Sequence, residues 1–345
     1  MQLPREVLVG NNTLELIGDI CKRLGFSKSA LIVTGSHTKK VAGQKVMDLL
    51  ADRGMDVDHV VVTSPTLEDV RTVEEEIKEL QPQVVLGVGG GTKIDVAKLS
   101  SAYQNIPFIS VPTTASHDGI ASPLGSIKGL NKPFSVMAQA PMAIVADTQV
   151  IIHSPYRLIA SGCGDTISKL TAVRDWRLAH EVKNEYYGGY ADSLALMSAQ
   201  LVMKNAEVIK PKVEEGLRVL LEALISCGVA MSIAGSSRPG SGSEHLFSHA
   251  LDLIAPKHAL HGEQCGVGTI LMARLHNINW KRIKETLQRV GAPTTAKELG
   301  VKPKHVIEAL VKACTLRPER YTILDKKKLD YDSAEKLAKA TGVID

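Results

Sequence analysis

Four of the chain's eleven histidines, His245, His249, His258 and His261, fall in one short stretch, Ser243-Glu-His-Leu-Phe-Ser-His249 followed by Lys257-His-Ala-Leu-His-Gly-Glu263. Imidazole is the commonest metal-binding side chain, so the cluster points to a metal site. His245 and His249 stand four apart and share one face of a helix. The spacing matches H-E-x-x-H, but Leu246 follows the first histidine where a peptidase needs its glutamate base, and Glu244 would point elsewhere. A catalytic zinc takes three protein ligands and keeps one position open. Ser161-Gly-Cys-Gly-Asp165 is the best source of the missing ligand, through Asp165, with Cys163 a weaker one; the competing role for Asp165 is N-cap of a long helix from Thr166.

A second constellation lies upstream, Gly87-Val-Gly-Gly-Gly-Thr-Lys-Ile-Asp95. It departs from G-x-G-x-x-G but keeps a strand end, a turn free of side chains and a helix start, where backbone amides can meet a pyrophosphate. The competing account is a tight turn capped by Thr92, with Asp95 completing a capping box. Pro112-Thr-Thr-Ala-Ser-His-Asp-Gly-Ile-Ala-Ser122 follows the next strand, so its hydroxyls emerge on the same edge, and Asp118 before Gly119 is by itself a turn-former. Thr34-Gly-Ser-His-Thr-Lys39 has no carboxylate to grip a ribose 2′-hydroxyl, so NAD and NADP should both be tolerated. His37 or Lys39 can meet a 2′-phosphate, or be plain loop residues.

These segments need a scaffold. Through about residue 150, short apolar runs (30–34, 59–62, 84–88, 106–112) alternate with amphipathic ones (41–50, 67–80, 94–102), the rhythm of a parallel α/β sheet. From Pro155 onward helical patterns take over, at 160–180, 190–208, 213–227, 244–254, 266–276 and 280–290. The expected organisation is an α/β Rossmann-like nucleotide-binding domain over 1–152 and an all-α helical metal- and substrate-binding domain over 153–345, with the site in the cleft between them.

Composition narrows the function. With 345 residues, 44% apolar and 23% charged, the chain can bury a full core. Its net charge of +4 is spread out, the one dense run being Lys326-Lys327-Lys328, which argues against a nucleic-acid partner. Aromatics at 4% remove base-stacking platforms. Five scattered cysteines without a C-x-x-C pair fit a reducing, cytoplasmic setting, and neither an export signal nor a membrane span is expected.

Taken together, the glycine turn, Pro-Thr-Thr-Ala-Ser-His-Asp-Gly, Gly-Cys-Gly-Asp and Glu-His-Leu-Phe-Ser-His with a later His-Gly-Glu resemble the superfamily of dehydroquinate synthases, glycerol dehydrogenases and iron-containing alcohol dehydrogenases. Within it the wording is most similar to the archaeal sn-glycerol-1-phosphate dehydrogenase branch, over essentially the whole chain. The resemblance implies a dehydroquinate synthase-like fold and a divalent metal, usually zinc in this branch, held by Asp165, His245 and His261. One carboxylate and two imidazoles suit iron and nickel nearly as well. It also implies cofactor contacts from Gly91, Thr92, Lys93, Ile94 and Asp95 toward the pyrophosphate, and from Thr113, Thr114, Ala115, Ser116 and Ser122 toward the nicotinamide. Asp118, Asp165 and His249 would contact substrate, with His249 and Asp118 serving catalysis. His258 inherits no role.

The implied reaction is reduction of dihydroxyacetone phosphate to sn-glycerol 1-phosphate by NADH or NADPH, for archaeal phospholipid backbones. The metal would polarise the ketone, His249 or a linked water would supply the proton, and Asp118 would fix the C1 hydroxyl. For the phosphate, Arg238 and the amides of 236–243 are one possibility and Lys169 another. Alternatives are a glycerol dehydrogenase on unphosphorylated substrate, a dehydroquinate synthase-type lyase, where a Glu in place of Asp165 is expected, and a non-catalytic nucleotide-binding protein. The apolar helical faces suggest a homo-oligomer without giving its symmetry.

Overall fold

The computed structural model describes residues 1–127 and 135–345. Six strands, β1 (Glu6–Gly10), β2 (Ser29–Thr34), β3 (Asp56–Val61), β4 (Val84–Gly89), β5 (Phe108–Pro112) and β8 (Ala143–Asp147), form one parallel sheet in the order β1-β8-β5-β4-β2-β3. A short antiparallel hairpin, β6 (Leu124–Ser126) with β7 (Ser135–Met137), stands apart. The period-2 pleat explains the unbroken apolar strands. Leu31, Val33, Val85, Ile144 and Ala146 feed one core, while Ala30, Ile32, Leu86, Ala143 and Val145 feed the other.

Helices of seven or more residues in this half are α1 (Ile17–Arg23), α2 (Gln44–Ala51), α3 (Leu67–Leu80) and α4 (Gly91–Tyr103). The β2 chain returns through α2 to β3 on one side, whereas β4 runs through α4 to β5 on the other. A crevice therefore opens at the carboxyl ends of β2 and β4, the position where open α/β sheets take ligands.

Beyond β8 every described element is helical: α5 (Tyr156–Ile167), α6 (Lys169–Lys183), α7 (Gly189–Lys204), α8 (Glu214–Ala234), α9 (Ser243–Ile254), α10 (His261–Leu275), α11 (Trp280–Arg289), α12 (Pro303–Leu316) and α13 (Tyr331–Ala340), with shorter turns between. Helix α8 is long and apolar enough to cross a bilayer by composition, but Leu217, Leu220, Leu221 and Leu224 are buried in the core shared by sheet and helices.

The helix expected over 160–180 is two helices, α5 and α6, meeting at Ser168. Asp165 is consequently not an N-cap but lies in the last turns of α5, with Gly162 and Gly164 inside that helix. Both glycines read as a helix start because glycine costs about 1 kcal/mol in a helix interior. Here they allow backbone contact: a Cβ on Gly164 would sit 2.2 Å from the Gly262 carbonyl oxygen, and one on Gly262 1.9 Å from that of Ser161. The crossing of α5 and α10 places Asp165 against His261.

Candidate active site

Helices α5, α9 and α10 bring four donor side chains together. Asp165, His245, His261 and Cys265 have ligand atoms all within 4.8 Å of one another, in a mostly buried environment. His245 Nε2 lies 3.6 Å from Asp165 Oδ1, and the rings of His245 and His261 are 5.0 Å apart at their centroids. Cys265 is the member that sequence reasoning missed. Its signal was available: it stands one turn after His261 on the same helix face. Cys163 is fully buried, with burial pushing its thiol pKa up, and stands outside the cluster.

The charges around this cluster are ordered. Burial alone would raise the Asp165 carboxyl, but Lys169, one turn on, and the His245 ring hold it well below the usual carboxylate range. The Lys169 ammonium, fully buried, lies 2.8 Å from Asp165 Oδ1 and 2.7 Å from Asp118 Oδ2. Lys169 is thus committed to two carboxylates and is not available to a substrate phosphate, correcting that expectation. The Asp118 backbone N–H donates to Asp165 Oδ2 (2.8 Å), so Asp118 is no mere turn-former; its carboxylate is tied to the cluster while lining the cavity.

Behind His245 stands Glu244, whose Oε1 lies 2.8 Å from His245 Nδ1. The same carboxylate accepts from Gly242 N–H and from the Thr171 hydroxyl. A carboxylate on Nδ1 fixes the tautomer and turns Nε2 toward the cluster. Glu244 therefore points at its neighbouring histidine rather than elsewhere. Adjacent residues on a helix do not face each other as a rule, so this pairing has no signature in residue spacing.

For His261, burial and the nearby charge of His245 push the pKa well below the ordinary histidine value. His249 is pushed down to about 3 by burial, then by His245, Arg317 and Arg320. Both rings are therefore neutral at neutral pH, and a neutral imidazole is the ligating form. Burial opposes protonation of His245, but Cys265, Asp165 and Glu244 more than offset it and raise its pKa. The two carboxylates, Asp165 and Glu244, thus favour positive charge at this ring, a role that a metal cation would take over. Donor types, burial and the ordered shell all fit a divalent cation.

A cavity of about 740 Å³ opens beside the cluster, lined from the sheet side by Asp95, Asp118 and Ser122 and from the helical side by His245, His249 and His261. His258 is exposed at its rim, 3.6 Å from Asp252. At the carboxyl end of β4, helix α4 starts at Gly91 after Gly90, which has no side chain to cap it. Lys93 and Ile94 N–H reach the Gly90 carbonyl, leaving the first amides, those of Gly91 and Thr92, to other acceptors. The capping box is thus absent. Thr92 is within the helix, and buried Asp95 instead accepts from Ser126 N–H (3.1 Å) and Lys98 Nζ (3.3 Å).

The other expected cofactor contacts divide by burial. Ile94 and Ala115 are fully buried and Thr113 nearly so, while Thr114 and Ser116 are half-exposed beside the turn. The His117 ring closes over Gly91, where a Cβ would lie 1.7 Å from Nε2. His37 is exposed at the end of β2, and Lys39 is held by His59 at 2.8 Å.

Residues 8–155 match the family model described as iron-containing alcohol dehydrogenase. A glycerol-1-phosphate dehydrogenase [NAD(P)+] of Pyrococcus furiosus is 55% identical over 344 residues, covering 100% of this chain and 99% of that one. Namesakes from Thermococcus kodakarensis (56%; 100% and 98%) and Methanosarcina mazei (54%; 100% and 96%) match as fully. The chain belongs to the glycerol-1-phosphate dehydrogenase family. That family is one of oxidoreductases, as the sequence reading expected. Among solved structures, the glycerol dehydrogenase of Schizosaccharomyces pombe superposes with TM-score 0.82 at 22% identity (99% and 89% covered). A 1,3-propanediol oxidoreductase gives 0.77 at 18% (99% and 98%). At such identities these establish the fold alone, the dehydroquinate synthase-like architecture that the glycerol-1-phosphate dehydrogenase family shares.

Proposed function

We propose that this chain reduces dihydroxyacetone phosphate to sn-glycerol 1-phosphate with NADH or NADPH, using one divalent metal ion, zinc in the first instance. The observation that carries the reading is the convergence of Asp165, His245 and His261, from three helices, on one point beside a cavity walled by Asp118 and His249. Full-length identity above one half to relatives named for this activity supports the substrate.

Asp165, His245 and His261 would hold the metal, with Cys265 at hand. The first amides of α4 and the hydroxyls of Thr113, Thr114, Ser116 and Ser122 would hold the dinucleotide along the carboxyl edge of β4 and β5. When bound, the metal supplies a Lewis acid for the ketone and the dinucleotide supplies the hydride. The chain's own residues do the rest. Asp118, anchored by Lys169, orients the C1 hydroxyl and so presents one face of the ketone. Neutral His249 hydrogen-bonds the reacting oxygen or a water beside it and relays the proton that closes the reaction.

The same reading assigns a nucleotide-binding domain to 1–152 and a metal- and substrate-binding domain to 153–345. It places the enzyme in the cytoplasm as a homo-oligomer that supplies phospholipid backbones.

The test is NADPH oxidation with dihydroxyacetone phosphate, with dihydroxyacetone and with neither. The phosphate ester should react far better. Equal turnover of the unphosphorylated ketone would sink the substrate assignment.

A further inference from the structure

Among the described residues, one buried arginine next to this cavity has no carboxylate within ion-pair distance. Three arginines gather behind the wall formed by the loop between α8 and α9. Arg238, buried, forms a two-pronged pair with Glu185 and donates to the Tyr321 carbonyl at 3.0 Å. Its charge is therefore neutralised inside the protein, which corrects the expectation that it would meet a substrate phosphate. Arg317 pairs with Glu319 at 3.0 Å. Arg320, only 7% exposed, donates instead to neutral acceptors, the Ser241 carbonyl (2.6 Å) and the Ser237 hydroxyl (2.6 Å). Glu185 and Glu244 are near enough for their charge to be felt, but each is bonded elsewhere.

A guanidinium taken out of water without a counter-charge is costly, and a bound anion would lower that cost. Burial, with Arg317 and Arg238 adding repulsion, pulls the Arg320 pKa down to about 9. Both residues that Arg320 holds, Ser237 and Ser241, line the cavity, as does Gly240 between them. His249, which feels the charges of Arg317 and Arg320, is one helical turn, about 5.4 Å, beyond His245. Arg320 does not itself line the cavity; its charge stands behind the Ser237–Ser241 wall, near enough for His249 to feel it.

We propose that Arg320, with the Ser237–Ser241 wall it supports, forms the subsite for the phosphate group of a phosphorylated three-carbon ketone, and is the residue that separates this substrate from its unphosphorylated analogue. The inference rests on the functional reading above and deepens it. A dianion seated against Ser237, Gly240 and Ser241 supplies the missing counter-charge. The Ser241 hydroxyl, which has no partner among the described residues, is placed to donate to it.

The experiment compares metal-loaded wild type and Arg320→Met on dihydroxyacetone phosphate and dihydroxyacetone, with inorganic phosphate as a competing probe. Loss of the buried charge behind the subsite should lower the ratio of the two kcat/KM values about 10- to 100-fold and weaken phosphate inhibition in parallel. An unchanged ratio with unchanged phosphate inhibition, in a variant with native circular dichroism and NADPH affinity, overturns the assignment. If wild type itself does not discriminate between the ketones, it is the functional reading that fails, which the wild-type arm reveals alone. Should Arg320→Met not fold, Ser241→Asp carries the test on the half-exposed cavity wall. A carboxylate there should reduce the same ratio at least tenfold, and an undiminished ratio rejects the subsite.

Discussion

Asp118 and Asp165 are joined twice, once by the Asp118 N–H on Asp165 Oδ2 and once by the Lys169 ammonium between their carboxylates. Two carboxylates this close would repel each other in a buried setting, and Lys169, itself fully buried, is what makes the pair tenable. Burial opposes its charge, but Asp118 and Asp165 raise its pKa well above the usual lysine value. Lys169→Met should lower the stability of the metal-free protein by about 3–5 kcal/mol, because it strands buried negative charge. A divalent cation restores part of that charge balance. Thermal unfolding with and without zinc should therefore show a larger metal-induced stabilisation in the variant than in wild type, and an equal gain would count against the pairing.

Glu244 makes a sharper test of the metal reading than the ligands themselves. Glu244→Gln keeps the shape and the contact to His245 but removes the charge that sets the ring, so metal affinity should drop about 10- to 100-fold with the fold retained. His261→Ala should remove metal and turnover together. Metal analysis after dialysis decides both, and stoichiometric zinc on His261→Ala would refute that ligand.

How much of this was legible in the chain depends on the range of the interaction. The alternating apolar runs gave the sheet, because a strand's neighbours on both faces are fixed by its own pleat. The glycine turn and the histidine pair were readable for the same local reason. What could not be read depends on crossings. Gly162 and Gly164 signal a helix break unless one knows that α10 lies backbone to backbone against them. Lys169 and Arg238 looked free for a phosphate because their partners, Asp118 and Glu185, are 51 and 53 residues away in sequence. Arg320 is 75 residues beyond His245, in a stretch with no motif.

The α5–α10 crossing makes a prediction whose sign is decided by magnitudes. In an ordinary helix, Gly164→Ala would gain about 1 kcal/mol of helix propensity. Here the new methyl would lie 2.2 Å from the Gly262 carbonyl oxygen, and a backbone atom cannot swing aside. Overpacking of this kind costs about 1–3 kcal/mol, so the variant should be less stable than wild type. It should also bind metal more weakly, since the helices that carry Asp165 and His261 must separate. Denaturant midpoints and metal titration check the two effects, and a stabilised variant would show that the crossing is not as tight as described.

His249 adds a pH dependence with a definite direction. Its pKa is held at about 3 in the folded protein, against about 6.5 for an unfolded histidine. Between those values the unfolded chain binds the proton and the folded one does not, so stability rises with pH across that window and is lost as pH falls from about 6.5 toward 3. The slope from this one group reaches about 1.4 kcal/mol per pH unit. Replacing the ring by glutamine, in His249→Gln, removes that term while the contributions of Asp165 and His245 remain in both proteins. Wild type should therefore lose stability faster than His249→Gln on acidification from pH 6.5 to 4.5, measured as denaturant midpoints on metal-free protein. Parallel curves would mean that the folded environment does not keep His249 neutral, and the neutral relay assigned to it would have to give way to a charged acid.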